Sequence, residues 1–389
     1  MSDIVIVAGK RTPMGEYGGA LRDFTATELA AIASKAAIAQ SQFEPADFHH
    51  AVFGNAMQTS GDSLYGARHV ALKAGLPIEV PALTVNRLCG SGIQSIISAA
   101  QLIKLGEAEV VLAGGMESMS QAPHVIRGAR WGLRLGEGKL EDSLMVALLD
   151  THCGCYMAVT AENLARKYSI NREEQDQFAL RSQKSAAAAA EAGKFKDEIT
   201  PVEIKSRKGV ELFDRDDHVR PDTTMEGLAK LRPAFSKEGF VTAGNASGIV
   251  DGGAAVVVTT AERARTKPLG RIVSWGITGV DPTIMGIGPV PAIKMALDRA
   301  KLKLSALDLI EINEAFAAQY LACERALELD RDKVNVNGGA IALGHPLGAS
   351  GTRLTMTLLY ELKRRNKRYG VASACIGGGQ GIALIVEAL

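Results

Sequence analysis

Four short segments carry residue types that together can do acyl chemistry. The first is Asn86-Arg87-Leu88-Cys89-Gly90-Ser91-Gly92. It places a thiol where an apolar strand runs into the start of an apolar helix. Unpaired backbone N–H groups and the positive end of the helix dipole meet there, and both favour the thiolate, the nucleophilic form of cysteine. Small residues at 90–92 let a carbonyl approach the backbone closely. A buried cysteine in a tight turn has the same local pattern, so Cys89 alone leaves both readings open.

The second segment is Gly344-His345-Pro346-Leu347-Gly348. Proline pushes the preceding backbone out of the helical region, so the His345 ring can project from a turn. The helix start that follows disfavours imidazolium, which leaves a neutral base able to accept a thiol proton. A helix-capping or exposed histidine fits the same residues. The third segment, Ala374-Cys375-Ile376-Gly377-Gly378-Gly379, lies between two apolar strands. Its glycines offer unobstructed N–H groups suited to an oxyanion, although a hairpin with an incidental cysteine reads the same way. The fourth is Asn313-Glu314-Ala315-Phe316, where Asn313 caps a helix or holds an oxygen at the mouth of a sheet. No metal site is expected: Cys153-Gly154-Cys155 has no second pair at zinc spacing.

The elements that must position these groups alternate. Val80–Val85 reads as a buried strand, and Ile93, Ile96, Ile97 and Ala100 recur on one helical face. Val110–Ala113 is the next strand, ended by Gly114-Gly115. Strand, helix and strand in this order predict a layered, largely parallel α/β architecture. A charge-rich stretch from about 119 to 248 interrupts it, holding one clear helix from Asn171, with a capping box at Glu174, to Gly193. From Arg271 the alternation resumes, with a strand at Leu309–Ile312, a helix at Ala315–Leu327 and another after Pro346. The expected division is 1–118 plus 249–270 as one α/β half, 119–248 as an inserted lobe and 271–389 as a second, similar half.

Composition excludes several classes. The chain has 389 residues, 47% hydrophobic and 22% charged, with net charge +1, so no global field points to nucleic acid or a membrane surface. Five cysteines in such a length are no disulfide framework and suit a reducing compartment. With no secretory, peroxisomal or membrane-spanning pattern, a cytoplasmic enzyme is expected.

The four segments, with Gly338-Gly339-Ala340, Ala113–Ser120 and Thr242–Gly248, resemble the ordered signature blocks of the thiolases along the whole chain. The resemblance implies a thiolase-like fold and reversible Claisen condensation or thiolytic cleavage of 3-ketoacyl-CoA through an acyl-Cys89 intermediate. It implies that His345 takes the Cys89 proton, and that Cys375 moves a proton to or from the α-carbon. The N–H groups of Cys89 and Gly377 would hold the acyl oxygen, and His345 with a water on Asn313 the thioester oxygen. Coenzyme A enters as a substrate, with no cofactor, and the inserted lobe would bind it: Arg220 near the nucleotide, and Phe235, Ala243 and Ser247 along the pantetheine. Met157 and Met285 would border the acyl pocket, Tyr156 beside Met157 would shorten or re-route it, and Phe316 is a further substrate-binding candidate. A homo-oligomer, dimer or tetramer, is implied as well.

Two positions depart from the short-chain biosynthetic pattern. Tyr156-Met157-Ala158 replaces a histidine and glycine around the pocket methionine, and Gly227 stands for a serine. A decarboxylating or 3-hydroxy-3-methylglutaryl-type condensing enzyme would not be expected to carry Cys375. A non-catalytic acyl-CoA carrier has no need of Cys89 and His345, and nothing resembles the local cysteine signature of papain-type hydrolases.

Overall fold

A computed structural model describes residues 2–136, 138–207, 209–234 and 238–389. The main strands are β1 (Ile4–Arg11), β2 (His50–Gly54), β3 (Ala82–Val85), β4 (Val110–Glu117), β5 (Val250–Thr260), β6 (Gly270–Gly279), β7 (Leu309–Ile312), β8 (Tyr369–Ile376) and β9 (Gln380–Ala388). The main helices are α1 (Ala26–Ser41), α2 (Gly66–Ala74), α3 (Ser91–Lys104), α4 (Met157–Lys167), α5 (Arg172–Glu191), α6 (Pro289–Ala300), α7 (Ala317–Leu327) and α8 (Leu347–Arg364).

The strands hydrogen-bond in the order β7-β8-β9-β6-β1-β5-β4-β2-β3. The expected α/β class is what the chain adopts, but the sheet is mixed rather than largely parallel. Only β2–β3, β2–β4 and β7–β8 are parallel neighbours. Where a strand returns without a helical crossover, as β8 does into β9 through the glycine turn at 377–379, pairing must be antiparallel.

Three apolar cores explain the layering. Helices α3 and α8 share one core with inward residues of both ends of the sheet, among them Ile6, Val111 and Val256 on one side and Ala372, Ile382 and Leu384 on the other. Helices α1 and α2 pack on the opposite face of β1, β2, β4 and β5 through Ala30, Ala33, Val70 and Ala71. Helices α4, α6 and α7 do the same over β7, β8 and β9. Thus α3 and α8 form a central layer between two half-sheets, each with its own outer helices.

The central pair is close-packed. A Cβ on Gly92 would sit 2.5 Å from Thr352 N, and one on Gly351 would sit 2.4 Å from Ile93 N. These absent side chains bring the helix after Cys89 against the helix after His345.

Some elements differ from expectation. β3 begins at Ala82 and is a half-exposed edge strand, not a buried one. β4 does not stop at Gly114-Gly115 but runs on to Glu117. At Gly115 a Cβ would lie 1.8 Å from the Gly348 carbonyl, so here the glycine marks a close approach and not a strand end. The helix from Asn171 forms with its reciprocal capping box to Glu174, as its sequence predicts.

Candidate active site

Strand β3 delivers the chain to a tight turn, Leu88–Gly90, before α3 begins. Leu88 has φ of +45°, and Asn86 Oδ1 accepts from its N–H, so the turn is locally held. Ser91 Oγ closes it, accepting from Arg87 N and donating to the Leu88 carbonyl. Cys89 is half-buried at the tip. A Cβ on the neighbouring Gly90 would fall 2.6 Å from Ile376 Cδ1, so this turn is pressed against the end of β8.

That contact joins the two sulfurs. Cys375 is the penultimate residue of β8, fully buried, and packs with Met285 and Ala315, with Met157 and Phe316 against them. Gly377 follows, its Cα facing Leu88 Cδ1 and Met157 Sδ across the space that a Cβ would partly occupy. The segment around Gly377 therefore lies over the Cys89 turn, and its backbone bears on the Cys89 thiol.

His345 comes from the third direction. Its backbone N–H donates to Gly248 O at 2.9 Å, which ties the turn before α8 to the loop at 242–248. The ring is buried. Its Nε2 lies 3.2 Å from Asn313 Nδ2 and its Nδ1 2.6 Å from Ser350 Oγ. Asn313 is no helix cap: α7 begins only at Ala317, and the Asn313 side chain turns to the histidine instead. Asn313 Oδ1 has no hydrogen-bond partner among the described residues.

The proton-carrying groups are all pushed toward neutrality. Burial lowers His345 to about 3, assisted by the Arg353 charge. Burial raises Cys89 to about 11, against the lowering effect of the Gly377 and Cys89 N–H groups, and the Glu117 carboxylate adds to the rise. Cys375 is raised well above its ordinary range, again by burial and then by Cys89. The helix-start donors that the sequence reading relied on are present at Cys89, and burial acts against them in the direction of the thiol.

A cavity of about 500 Å³ opens beside His345, with Tyr156, Met157, Ala243, Ser247 and Phe316 also in its wall; Cys89 lies behind Leu347 of that wall, and Cys375 behind Met157 and Phe316. Its lining is mainly apolar, with Leu148, Ile249 and Leu347 completing the wall. Ser247 is held by its N–H to Ala315 O, which places the 242–248 loop over the Asn313 segment. Arg220 sits in an adjoining cleft with Thr223, Thr224 and Gly227, and this cleft shares His218 and Ala243 with the cavity. Arg220 is exposed there and paired with Glu16 at 2.5 Å. Phe235 lies outside the described residues. A larger concavity of about 870 Å³ lies between α1 and the strand at Val202–Ser206, away from all the candidate groups.

Sequence reasoning missed Glu117. It is fully buried and accepts from Asn55 Nδ2, Ala56 N, Met57 N and Gly348 N at 2.8–3.1 Å. One carboxylate thus fastens β4, the loop after β2 and the start of α8. Burial still pushes it up to about 7. A lone acid following two glycines in an otherwise apolar strand was the available signal.

Comparison with known proteins gives a consistent picture. The model for thiolase, N-terminal domain, matches residues 4–262, and that for thiolase, C-terminal domain, residues 266–388. The mitochondrial 3-ketoacyl-CoA thiolase of Homo sapiens is 56% identical over 388 residues, 99% of this chain and 98% of its own. An acetyl-CoA acetyltransferase of Cupriavidus necator is 50% identical over 392 residues, 100% of each chain. The crystal structure of human mitochondrial 3-ketoacyl-CoA thiolase in complex with CoA superposes with a TM-score of 0.97 at 55% identity, covering 100% of this chain and 98% of that one. The expected cytoplasmic location is corrected here, since the human relative and those of Pongo abelii and Bos taurus are mitochondrial proteins. That expectation rested on missing addresses, and a missing address does not fix a compartment.

Proposed function

The chain belongs to the thiolase family, and from that premise we propose that its catalytic cycle runs through an acyl group on Cys89. It is an acyl-CoA C-acyltransferase, acting in thiolytic cleavage and condensation of 3-ketoacyl-CoA. The observation that carries the site assignment is that the Cys89 turn presses on the Cys375–Gly377 segment, while Cys89 packs with Leu347 and Cys375 with Met157 and Phe316, all three in the wall of the apolar cavity that His345 also lines.

In the cleavage direction, the Cys89 proton passes to His345 Nε2 while sulfur attacks the 3-keto carbon. The Cys89 and Gly377 N–H groups hold the oxygen as it becomes anionic, each such donor being worth about 3 kcal/mol. The C2–C3 bond then breaks, its electrons passing to the acetyl-CoA enolate, and the Cys375 thiol supplies the proton to that carbon. His345 and Asn313 hold the thioester oxygen where enolate charge gathers. Coenzyme A finally attacks acyl-Cys89, its thiol proton passing to the Cys375 thiolate, and the His345 proton returns to the Cys89 sulfur as the acyl–sulfur bond breaks. Splitting the reaction over a covalent intermediate replaces one difficult step by two easier ones.

Coenzyme A would lie along the 242–248 loop, with the pantetheine past Ala243 and Ser247 and the nucleotide by Arg220. The shared wall of the cavity and the adjoining cleft supports this path. Tyr156, Met157, Met285 and Phe316 would surround the acyl chain. The apolar volume supports acceptance of acyl groups longer than acetoacetyl. Association into a dimer or tetramer is supported by apolar side chains left exposed, such as Leu64, Ile78 and Leu83 near the sheet edge and Trp131 and Leu135 on a projecting loop.

The test is mass spectrometry after incubation with acetyl-CoA. One acetyl group on Cys89 is expected, and none in Cys89→Ala. Activity retained by that variant would overturn the assignment of the nucleophile. Thiolysis rates that fall steadily beyond the four-carbon substrate would overturn the chain-length reading.

A further inference from the structure

His345 has to offer one particular ring nitrogen to the reaction, and the structure contains a device that selects it. Ser350 sits in the first turn of α8, 1% exposed. Its Oγ lies 3.0 Å from the Pro346 carbonyl and 2.6 Å from His345 Nδ1. With its single hydroxyl proton on the Pro346 carbonyl, which can only accept, serine offers the ring a lone pair at 2.6 Å, and in that arrangement the hydrogen between the two belongs to Nδ1. The other nitrogen agrees with this. Nε2 lies 3.2 Å from the Asn313 side-chain amide, which can donate to a bare ring nitrogen.

We propose that Ser350 is a positioning residue that fixes the His345 tautomer, with Nδ1 carrying the hydrogen and Nε2 holding the lone pair that takes the Cys89 proton. This rests on the reading of His345 as the base. When the proton moves from sulfur to Nε2, the ring becomes a cation with two N–H groups. Nδ1–H stays on Ser350, and Nε2–H is then a donor for the thioester oxygen. One transfer therefore both frees the nucleophile and creates the donor needed when the enolate forms, and the proton returns to sulfur when coenzyme A releases the acyl group. In the other tautomer Nε2 already bears its hydrogen and cannot accept the thiol proton.

The fold does not depend on this hydroxyl. The Pro346 carbonyl also accepts from the Ser350 backbone N–H at 2.9 Å, so α8 starts normally without the side chain. Two measurements test the proposal. Long-range proton–nitrogen NMR on ¹⁵N-histidine protein, with His345→Asn to assign the signal, reads the tautomer directly. Nδ1–H with bare Nε2 is expected in the wild type, and a mixture in Ser350→Ala. In kinetics, Ser350→Ala is expected to lower kcat about tenfold, the worth of a hydrogen bond to a group that becomes charged. KM should change less than about threefold, and Ser350→Thr should restore most of kcat. A wild-type ring with hydrogen on Nε2, or a threonine variant as impaired as the alanine one, overturns the proposal. Failure of wild-type Cys89 to acetylate would instead overturn the function, and the tautomer measurement does not depend on it.

Discussion

Replacing His345 by glutamine should separate two reactions of the same sulfur. Burial holds the Cys89 thiol at about 11 and the His345 imidazole at about 3. At pH 8 the free thiolate is then about one part in a thousand, since each pH unit below the pKa costs a factor of ten. Alkylation by iodoacetamide needs thiolate and no base. Its rate should rise about tenfold per unit from pH 7 to 10 without levelling, in wild type and His345→Gln alike. Acetyl transfer from acetyl-CoA needs a neutral thiol beside a neutral imidazole, and both forms persist from about pH 4 to 10 on these values. Single-turnover acetylation should therefore be level over pH 6–9 in the wild type. In His345→Gln it should fall by about 10²–10⁴-fold, the usual contribution of a placed general base, and take on the slope of alkylation. Both rates can be read by mass spectrometry of the peptide carrying Cys89. A wild-type alkylation profile with a midpoint below about 8 would refute the reasoning, because it would mean a thiolate–imidazolium pair at rest.

Further expectations concern single side chains. Cys375→Ser should leave most acetyl transfer to Cys89 while condensation falls about 10²–10⁴-fold, and equal loss in the two half-reactions, measured separately, would give Cys375 a different role. Tyr156→Ala should raise kcat/KM for substrates two carbons longer by about tenfold relative to acetoacetyl-CoA, in a chain-length series. Arg11 is fully buried between Glu198 at 2.8 Å and Asp216 at 2.6 Å. Arg11→Ala should cost about 3–5 kcal/mol by stranding two enclosed carboxylates, visible as a clear drop in melting temperature, and an unchanged melt would show that water reaches them.

How much of this could be read beforehand depends on whether the signal was local. The helix at Arg172–Glu191 was legible because its capping box lies within four residues of chain. The apolar stripe of α3 was legible for the same reason. Strand direction was not: nothing within β8 or β9 states that they pair antiparallel, since that follows from where the turn sends the chain. The glycines at 114–115 misled because the carbonyls they approach, of Ala254 and Gly348, lie more than a hundred residues away. At the site, Cys89, His345 and Cys375 stood out by type and by their glycine and proline neighbours. The ionisation of Cys89 did not, since a helix start argues for thiolate and only the packed surroundings show the water removed. Glu117 and Ser350 escaped notice because each acts through a partner that only the fold supplies.

The central helix pair has a consequence for how the chain is made. The apolar face of α3, with Ile93, Ile96 and Ile97, is buried against Leu354, Leu358 and other residues made much later in synthesis. Until α8 emerges, α3 carries an oily surface with nothing to cover it, a condition that invites aggregation or chaperone capture. Native packing of the first half must therefore wait for α8, and a fragment ending at residue 270 should remain protease-sensitive until the missing C-terminal piece is supplied in trans.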